Sequence, residues 1–381
     1  MRVGVIGYGG RVSSMLEILF QYDLGVELAA IMDTDFEAVK KILKEYGRDE
    51  SRIAFYEDAD EMLDRERLDG VMIGTRCSTH TDYAVKVLQR NLPLFLEKPV
   101  SIDLAQLRRL QAAGKSTTAQ TVVSFPLRVS PMVRLAKEIV DSGKIGTVEH
   151  IQAINNVPYG GVYYHSWYRD ESITGGLFMQ KATHDLDYIR YLMGQKPAAI
   201  CAMESKSVFT GDKQAGLYCA DCPEKRTCPE GPFVMEHIKI DSNHGYQCCY
   251  ATDTGNHDSA SVLLRFENGA HASYSQNFYA RKGAAARGAR LIGYKGTLEF
   301  DWYTDELKVF MHDASGMQVH RLNTAAIKHG GGDEVLALNF IEVMEGRASS
   351  VAPLSAGIES ALMCLKARES AQTDAFVKVS L

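Results

Sequence analysis

The chain has 381 residues, 45% apolar and 24% charged, with 42 Lys and Arg against 48 Asp and Glu for a net charge of −6. A single ordinary core does not hold so many residues, so about two domains of roughly 100–250 residues are expected. No Lys/Arg run marks a nucleic-acid partner, and no apolar stretch approaches the ~20 residues that span a membrane.

The first third alternates strand and helix. "RVGVIG" reads as a strand and "SSMLEILF" as a helix; "GVELAAIMD" and "FEAVKKILKEYG" repeat the pair. "LDGVMIGT", "HTDYAVKVLQR", "LPLFLEKP", "DLAQLRRLQAAG" and "QTVVSF" continue it. Such alternation argues for a parallel sheet built of right-handed crossovers, with ligands at the carboxyl ends of the strands. The chain enters this pattern at once, with no charged-then-apolar leader. That reading places it in the cytoplasm, with its eight cysteines reduced or bound to metal.

The first turn is "GYGGRV". Gly7 and Gly9 hold the first two glycine places of a dinucleotide fingerprint, which allow a tight turn and close approach of a pyrophosphate to a helix N-terminus. The third place is Val12 rather than glycine, so a wider helix–strand contact is expected, with Gly10 compensating. Arg11 lies in the same turn. Asp33 ends the second strand, at the distance where an acid binds the adenosine ribose hydroxyls. NAD is the cofactor these residues point to.

From about Val123 the texture changes. One helix, "PMVRLAKEIVDSG", leads into strand-like runs: "TVEHIQAI", "DSASVLLRF", "AHASYSQNFYA", "ARLIGYKG", "TLEFDWY" and "ELKVFMH". Asn268-Gly269 between two of them is a hairpin signal. The expected architecture is α/β: an N-terminal Rossmann domain over 1–123, then an α+β domain over 124–381 with a large, mostly antiparallel sheet for substrate binding and oligomerisation. The loop "VPYGGVYYHSWYRD" offers Tyr163, Tyr164, Trp167 and Tyr168 to stack on a ligand ring and Arg169 to bind polar groups; packing beneath a long loop is the alternative.

"GGLFMQKATHDLDYIRYLMG" gathers Gln180, Lys181, His184, Asp185 and Asp187 ahead of an apolar helix. Thr183 reads as its N-cap, Leu186, Ile189, Leu192 and Met193 as its buried stripe and Gly194 as its stop. At a helix N-terminus the positive dipole end would keep His184 neutral, as a general base must be. Within an insertion over 209–256, Cys219, Cys222 and Cys228 stand within ten residues, with Cys248-Cys249 further on and His237 and His244 as alternatives. Tetrahedral zinc takes such ligands, so a structural Zn²⁺ on Cys219, Cys222, Cys228 and Cys248 is expected.

Glu97-Lys98-Pro99 at a strand end, after "GVMIGT" and a loop ending at His80, resembles the glucose–fructose oxidoreductase / inositol dehydrogenase / rhizopine catabolism (Gfo/Idh/MocA) family of NAD(P)-dependent sugar oxidoreductases. "GG…HDLDYIRYLMG" is similar to that family's active-site helix, and "LIGYKGTLEFD" and "HGGGDEVLALNFIEVMEG" to its later segments. The resemblance implies Thr75, Arg76, His80, Glu97 and Lys98 beside the cofactor. It implies Lys98 and His184 as catalytic residues sharing one substrate hydroxyl, with Trp167, Arg169, Gln180 and Lys181 around the substrate. Gln180 stands where the family usually has aspartate, and Arg76 where many members have proline. The implied activity is hydride transfer between NAD and a ring hydroxyl or keto group of a sugar, cyclitol or glycoside, in a homodimer or homotetramer. A non-catalytic NAD-bound sensor and a redox-neutral elimination or hydrolysis are the other classes this pattern admits.

Overall fold

A computed structural model describes residues 1–231, 246–324 and 328–381. They divide into two compact units. The first is Met1–Pro131 with Ala326–Leu362 and Leu381; the second is Met132–Ala325 with Met363–Ser380. The expected boundary at 123/124 falls within the first of these units. The closing segment, expected in the second domain, belongs to the first unit.

The first unit is a six-stranded parallel sheet of β1 (Arg2–Ile6), β2 (Glu27–Met32), β3 (Ala54–Tyr56), β4 (Gly70–Ile73), β5 (Leu94–Leu96) and β6 (Thr121–Val123). Its order, β3-β2-β1-β4-β5-β6, is that of a dinucleotide-binding sheet. The apolar runs of β1, β4 and β5 are buried throughout or nearly so, as strands covered on both faces must be. The helices begin where the sequence provides caps: Asp35 accepts from the Ala38 N–H at 3.0 Å and Asp103 from the Gln106 N–H at 2.8 Å. The helix Gly332–Met344 packs Phe340 edge-on to Phe95 of β5, with ring centroids 5.7 Å apart. It also comes so close to β4 that a Cβ on Gly70 would lie 2.5 Å from Met344 Sδ.

The second unit is a nine-stranded sheet of β7 (Val148–Asn156), β8 (Pro197–Ser205), β9 (Ser259–Phe266), β10 (His271–Asn277), β11 (Ala286–Gly293), β12 (Gly296–Asp301), β13 (Glu306–Met311), β14 (Met317–Arg321) and β15 (Val377–Lys378). The order is β14-β13-β12-β11-β7-β10-β9-β8-β15. Only the β7–β10 pair is parallel. The β9–β10 hairpin turns at Asn268-Gly269 as expected, with Gly269 at φ +91° and the Asn268 side chain accepting from the Ala270 N–H at 3.1 Å. Alternation buries every second residue of β9, the period of a sheet with one face on a core. The helix Thr183–Met193 lies against β7. Among the described residues no helix is long and apolar enough to cross a membrane.

Candidate active site

The glycine turn is built as the fingerprint requires. Gly7 sits at φ +82°, and a Cβ there would meet Thr75 atoms at 2.6–2.8 Å, so only glycine fits. The helix Gly10–Gln21 starts at Gly9 with no side-chain cap and no acid in its first turn. A Cβ on Gly10 would meet nothing within 4 Å. These uncapped amides and the open space above them fit a pyrophosphate. Val12 is fully buried and does not hold the helix away. The compensating residue is Gly74 at the end of β4, not Gly10: a Cβ on Gly74 would lie 2.1 Å from Val12 Cγ2. Asp33 accepts from the Tyr8 N–H at 2.8 Å on one oxygen and from the Thr34 and Asp35 N–H groups at 2.7 and 3.0 Å on the other. That anchors the acid beside the turn, and the next helix is capped by Asp35.

The strand-end residues form a second group in the same unit. Buried Glu97 accepts from Arg11 Nε at 2.9 Å. The rest of the Arg11 guanidinium takes Asp333 through two bonds of 2.8 and 2.6 Å and Ser124 Oγ at 3.0 Å. His329 Nδ1 stands 2.8 Å from Asp333. Arg11 thus ties the first turn to the strand end and the closing segment. Beside Glu97 and Asp333 its pKa rises despite burial. His80 is buried, with Nδ1 2.8 Å from the Pro99 carbonyl and Nε2 3.1 Å from the Thr75 carbonyl, and burial lowers its pKa. It fastens the loop holding Thr75 and Arg76 to the turn after Lys98. Lys98 is half-buried and Arg76 exposed.

In the second unit the helical run starts earlier than the sequence implied. A π-helical turn over Phe178–Ala182 precedes the helix Thr183–Met193, and Thr183 is itself helical rather than an N-cap. The dipole argument for His184 therefore loses its footing, because a full turn of backbone lies ahead of it. The run is buried nearly all round: Gln180, Lys181, His184 and Asp187 are 4%, 5%, 9% and 2% exposed. Gly194, at φ +69°, closes it with its N–H on the Arg190 carbonyl.

Asp185 is the anchor of this run, a role the sequence did not reveal. It is fully buried and accepts from Asn155 Nδ2 at 2.7 Å, Tyr274 Oη at 2.9 Å and Arg287 Nε at 2.9 Å. These partners stand on β7, β10 and β11, and Arg287 lies directly opposite Asn155 in the register. Burial alone would lower the Arg287 pKa; the Asp185 charge outweighs it and raises it. Lys181 Nζ donates to Tyr159 Oη at 2.5 Å. Burial lowers the lysine's pKa.

The loop before this run departs from expectation. Tyr163 and Tyr164 do not stand open to a sugar: they belong to a buried cluster with Val157, Leu177, Phe209 and Phe278, because the loop is long enough to fold its aromatics under itself. Trp167 stacks on Tyr168 with centroids 4.0 Å apart. Arg169 is 5% exposed and donates to the Cys248 carbonyl, Asp253 and Thr254 Oγ1 at 3.1, 2.7 and 2.7 Å. It braces the insertion.

The zinc expectation finds no support among the described residues of the insertion. Among the described residues no three His, Cys, Asp or Glu side chains are grouped to hold a metal ion. Cys219, Cys222, Cys228 and Cys248 are free thiols, and burial first, then neighbouring thiols, push Cys219 up to about 12. His237 and His244 lie outside the described residues. Backbone pairing helps order the segment. Tyr218 pairs with Gln247, the Cys219 N–H reaches the Tyr246 carbonyl at 2.7 Å, and the Cys248 N–H reaches the Leu217 carbonyl at 2.8 Å.

Comparison with known proteins agrees with this geometry. Residues 1–125 match the model described as "Oxidoreductase family, NAD-binding Rossmann fold", and 133–299 match the "GFO/IDH/MocA C-terminal domain". The protein YteT of Bacillus subtilis is 25% identical over 372 residues, which cover 87% of this chain and 86% of that one. Inositol 2-dehydrogenase of Rhizobium meliloti is 25% identical over 218 residues, 57% of this chain and 62% of that protein, so less than two thirds of it is matched. In fold, a levoglucosan dehydrogenase solved with NADH and levoglucosan superposes at a TM-score of 0.78, with 20% identity and full coverage of both chains. The chain belongs to the Gfo/Idh/MocA family of NAD-binding oxidoreductases and is an NAD(P)-dependent dehydrogenase or reductase.

Proposed function

We propose that the substrate is a sugar, cyclitol or glycoside whose ring hydroxyl is oxidised, or whose ring ketone is reduced, with NAD as the cofactor and Lys98 and His184 in proton transfer. The observation that carries this reading is the buried run holding Gln180, Lys181 and His184, fixed from below by Asp185 on three strands. A histidine so immobilised keeps its orientation through turnover, which acid–base chemistry requires. Relatives named inositol dehydrogenases and a fold neighbour solved with levoglucosan support a polyhydroxylated ring.

NAD supplies the hydride acceptor; the chain's residues do the rest. Gly7, Gly9 and Gly10 shape the pyrophosphate cradle and Asp33 takes the ribose diol, with Thr75, Arg76, His80 and Glu97 setting the loops around it. Lys98 holds the substrate oxygen, His184 takes its proton, and Gln180 orients the ring or the imidazole without adding charge. Trp167 is a ring-facing candidate on the substrate loop, and a homo-oligomer is the expected assembly. The test is a panel of polyols and cyclic sugars with NAD⁺, followed at the NADH absorbance. Stoichiometric NADH with a ring polyol is the expected result. Conversion of a glycoside with no net NADH would overturn it in favour of redox-neutral chemistry.

A further inference from the structure

Tyr159 and Lys181 form a pair that the roles above leave unused. Lys181 Nζ, at 5% exposure, donates to Tyr159 Oη at 2.5 Å and lies 4.6 Å from the Tyr159 ring centroid and 5.8 Å from that of Tyr163. An ammonium has no lone pair to offer. The phenol oxygen is therefore the acceptor, and its own proton is left to be given elsewhere. Among the described residues Lys181 is the one hydrogen-bond partner of that oxygen.

The exposure is as telling. Tyr159 is 44% exposed, whereas His184 and Gln180 are 9% and 4% exposed. A buried imidazole that takes a proton each turnover needs a route to water. Lys181 and His184 stand three residues apart in one buried run, Lys181 in its π-helical first turn and His184 at the start of the α-helix. Tyr159 is thus tied to the run that carries His184 and is itself partly exposed to solvent.

We propose that Tyr159 is a further acid–base residue of this dehydrogenase site, passing the substrate proton from His184 to solvent, with Lys181 as its positioning residue. The proposal rests on the dehydrogenase reading above. In the oxidation direction the substrate C–H bond breaks with its electron pair, which reduces the nicotinamide. The C=O bond forms as the hydroxyl proton moves to His184. That proton passes to Tyr159 Oη as the phenol's own proton leaves to water, so one proton reaches solvent for each NADH.

The charges around the phenol suit this. Although the residue is partly exposed, desolvation around the phenol would raise its pKa; Lys181 and Arg287 outweigh this and hold it below its ordinary value, with Asp185 opposing. Tyr163 and Tyr303, the neighbouring phenols, are both raised by burial and stay protonated. Tyr159 is the member of this group set apart to ionise.

The experiment compares Tyr159→Phe, Lys181→Met and Lys181→Arg with the wild type, using NAD⁺ and the ring polyol that yields NADH in the panel, myo-inositol and levoglucosan being the first probes. In dilute buffer Tyr159→Phe should lose roughly tenfold or more in kcat with NAD⁺ affinity unchanged, and added imidazole should restore most of the loss. Tyrosinate absorbance should show one phenol ionising below the ordinary range, absent in Tyr159→Phe, shifted upward in Lys181→Met and kept in Lys181→Arg. Full kcat in Tyr159→Phe, or a loss that no buffer recovers, overturns the proposal and leaves the dehydrogenase reading standing. No NADH from any polyol with the wild type overturns that reading instead.

Discussion

Asp33 carries its charge in a fixed place because three backbone N–H groups hold it there. A 2′-phosphate would meet that charge and Asp35 close by, and no Lys or Arg follows before Lys40. Like charges at such range cost on the order of 1 kcal/mol even near water. At least a roughly tenfold preference in kcat/KM for NAD⁺ over NADP⁺ is expected, and equal use of the two would refute it. For the groups proposed to react, His184→Ala and Lys98→Ala should each lower kcat by roughly 100-fold or more while NAD⁺ still binds. A variant that keeps more than about a tenth of the wild-type kcat with the true substrate removes that residue from proton transfer. Asp185→Ala is different in kind: it strands the buried Arg287 guanidinium, and the loss of one partner of such a pair costs about 3–5 kcal/mol of stability. Chemical denaturation would read it, and a change under about 1 kcal/mol would mean that Asp185 is not the anchor.

At the scale of elements, the 157–170 loop and the insertion stabilise one another. His165 is buried, its Nδ1 2.7 Å from the Gln247 carbonyl, and the Gln247 N–H returns to the His165 carbonyl at 3.0 Å. Burial brings this histidine down to about 4, against the Gln247 carbonyl, which pulls the other way. The ordinary value of an unfolded histidine is about 6.5. The unfolded chain therefore takes up the proton first as pH falls. The stability is fully present above pH ~6.5 and declines by about 1.4 kcal/mol per pH unit down to the folded value. Urea midpoints measured between pH 7.5 and 4.5 should show this slope, and His165→Gln should flatten it; identical slopes would exclude His165 as the source.

At the scale of the whole molecule, the chain returns to its first sheet after completing the second. Asp333 locks onto Arg11, Phe340 and Met344 cover β4 and β5, and Gly332 packs so tightly that a Cβ there would lie 1.9 Å from the Pro126 carbonyl oxygen. A fragment ending at Pro131 leaves that face of the sheet bare and Arg11 without its bidentate partner. Such a fragment should bind a hydrophobic dye and lack a cooperative thermal transition, whereas the full chain melts cooperatively. A sharp transition in the fragment would show that the linear domain folds by itself.

The parallel sheet, the glycine turn, Asp33, the Asn268-Gly269 hairpin and the helix stop at Gly194 were all legible in the sequence, because each is a local matter of period, backbone conformation or strand-end position. The three-residue β3 was not, since so short a run shows no period, and neither were β8, β14 and β15. Tertiary structure alone decided the rest. Asn155, Tyr274 and Arg287 are ordinary strand residues until sheet register brings them together under Asp185. Gly74 explains Val12 only once β4 lies beside the first helix. Arg169 and Lys181, which look like substrate contacts in the sequence, are taken by Asp253 and Tyr159 in the fold. A charged side chain's partner is set by burial, and burial depends on chain segments that sequence spacing does not bring together.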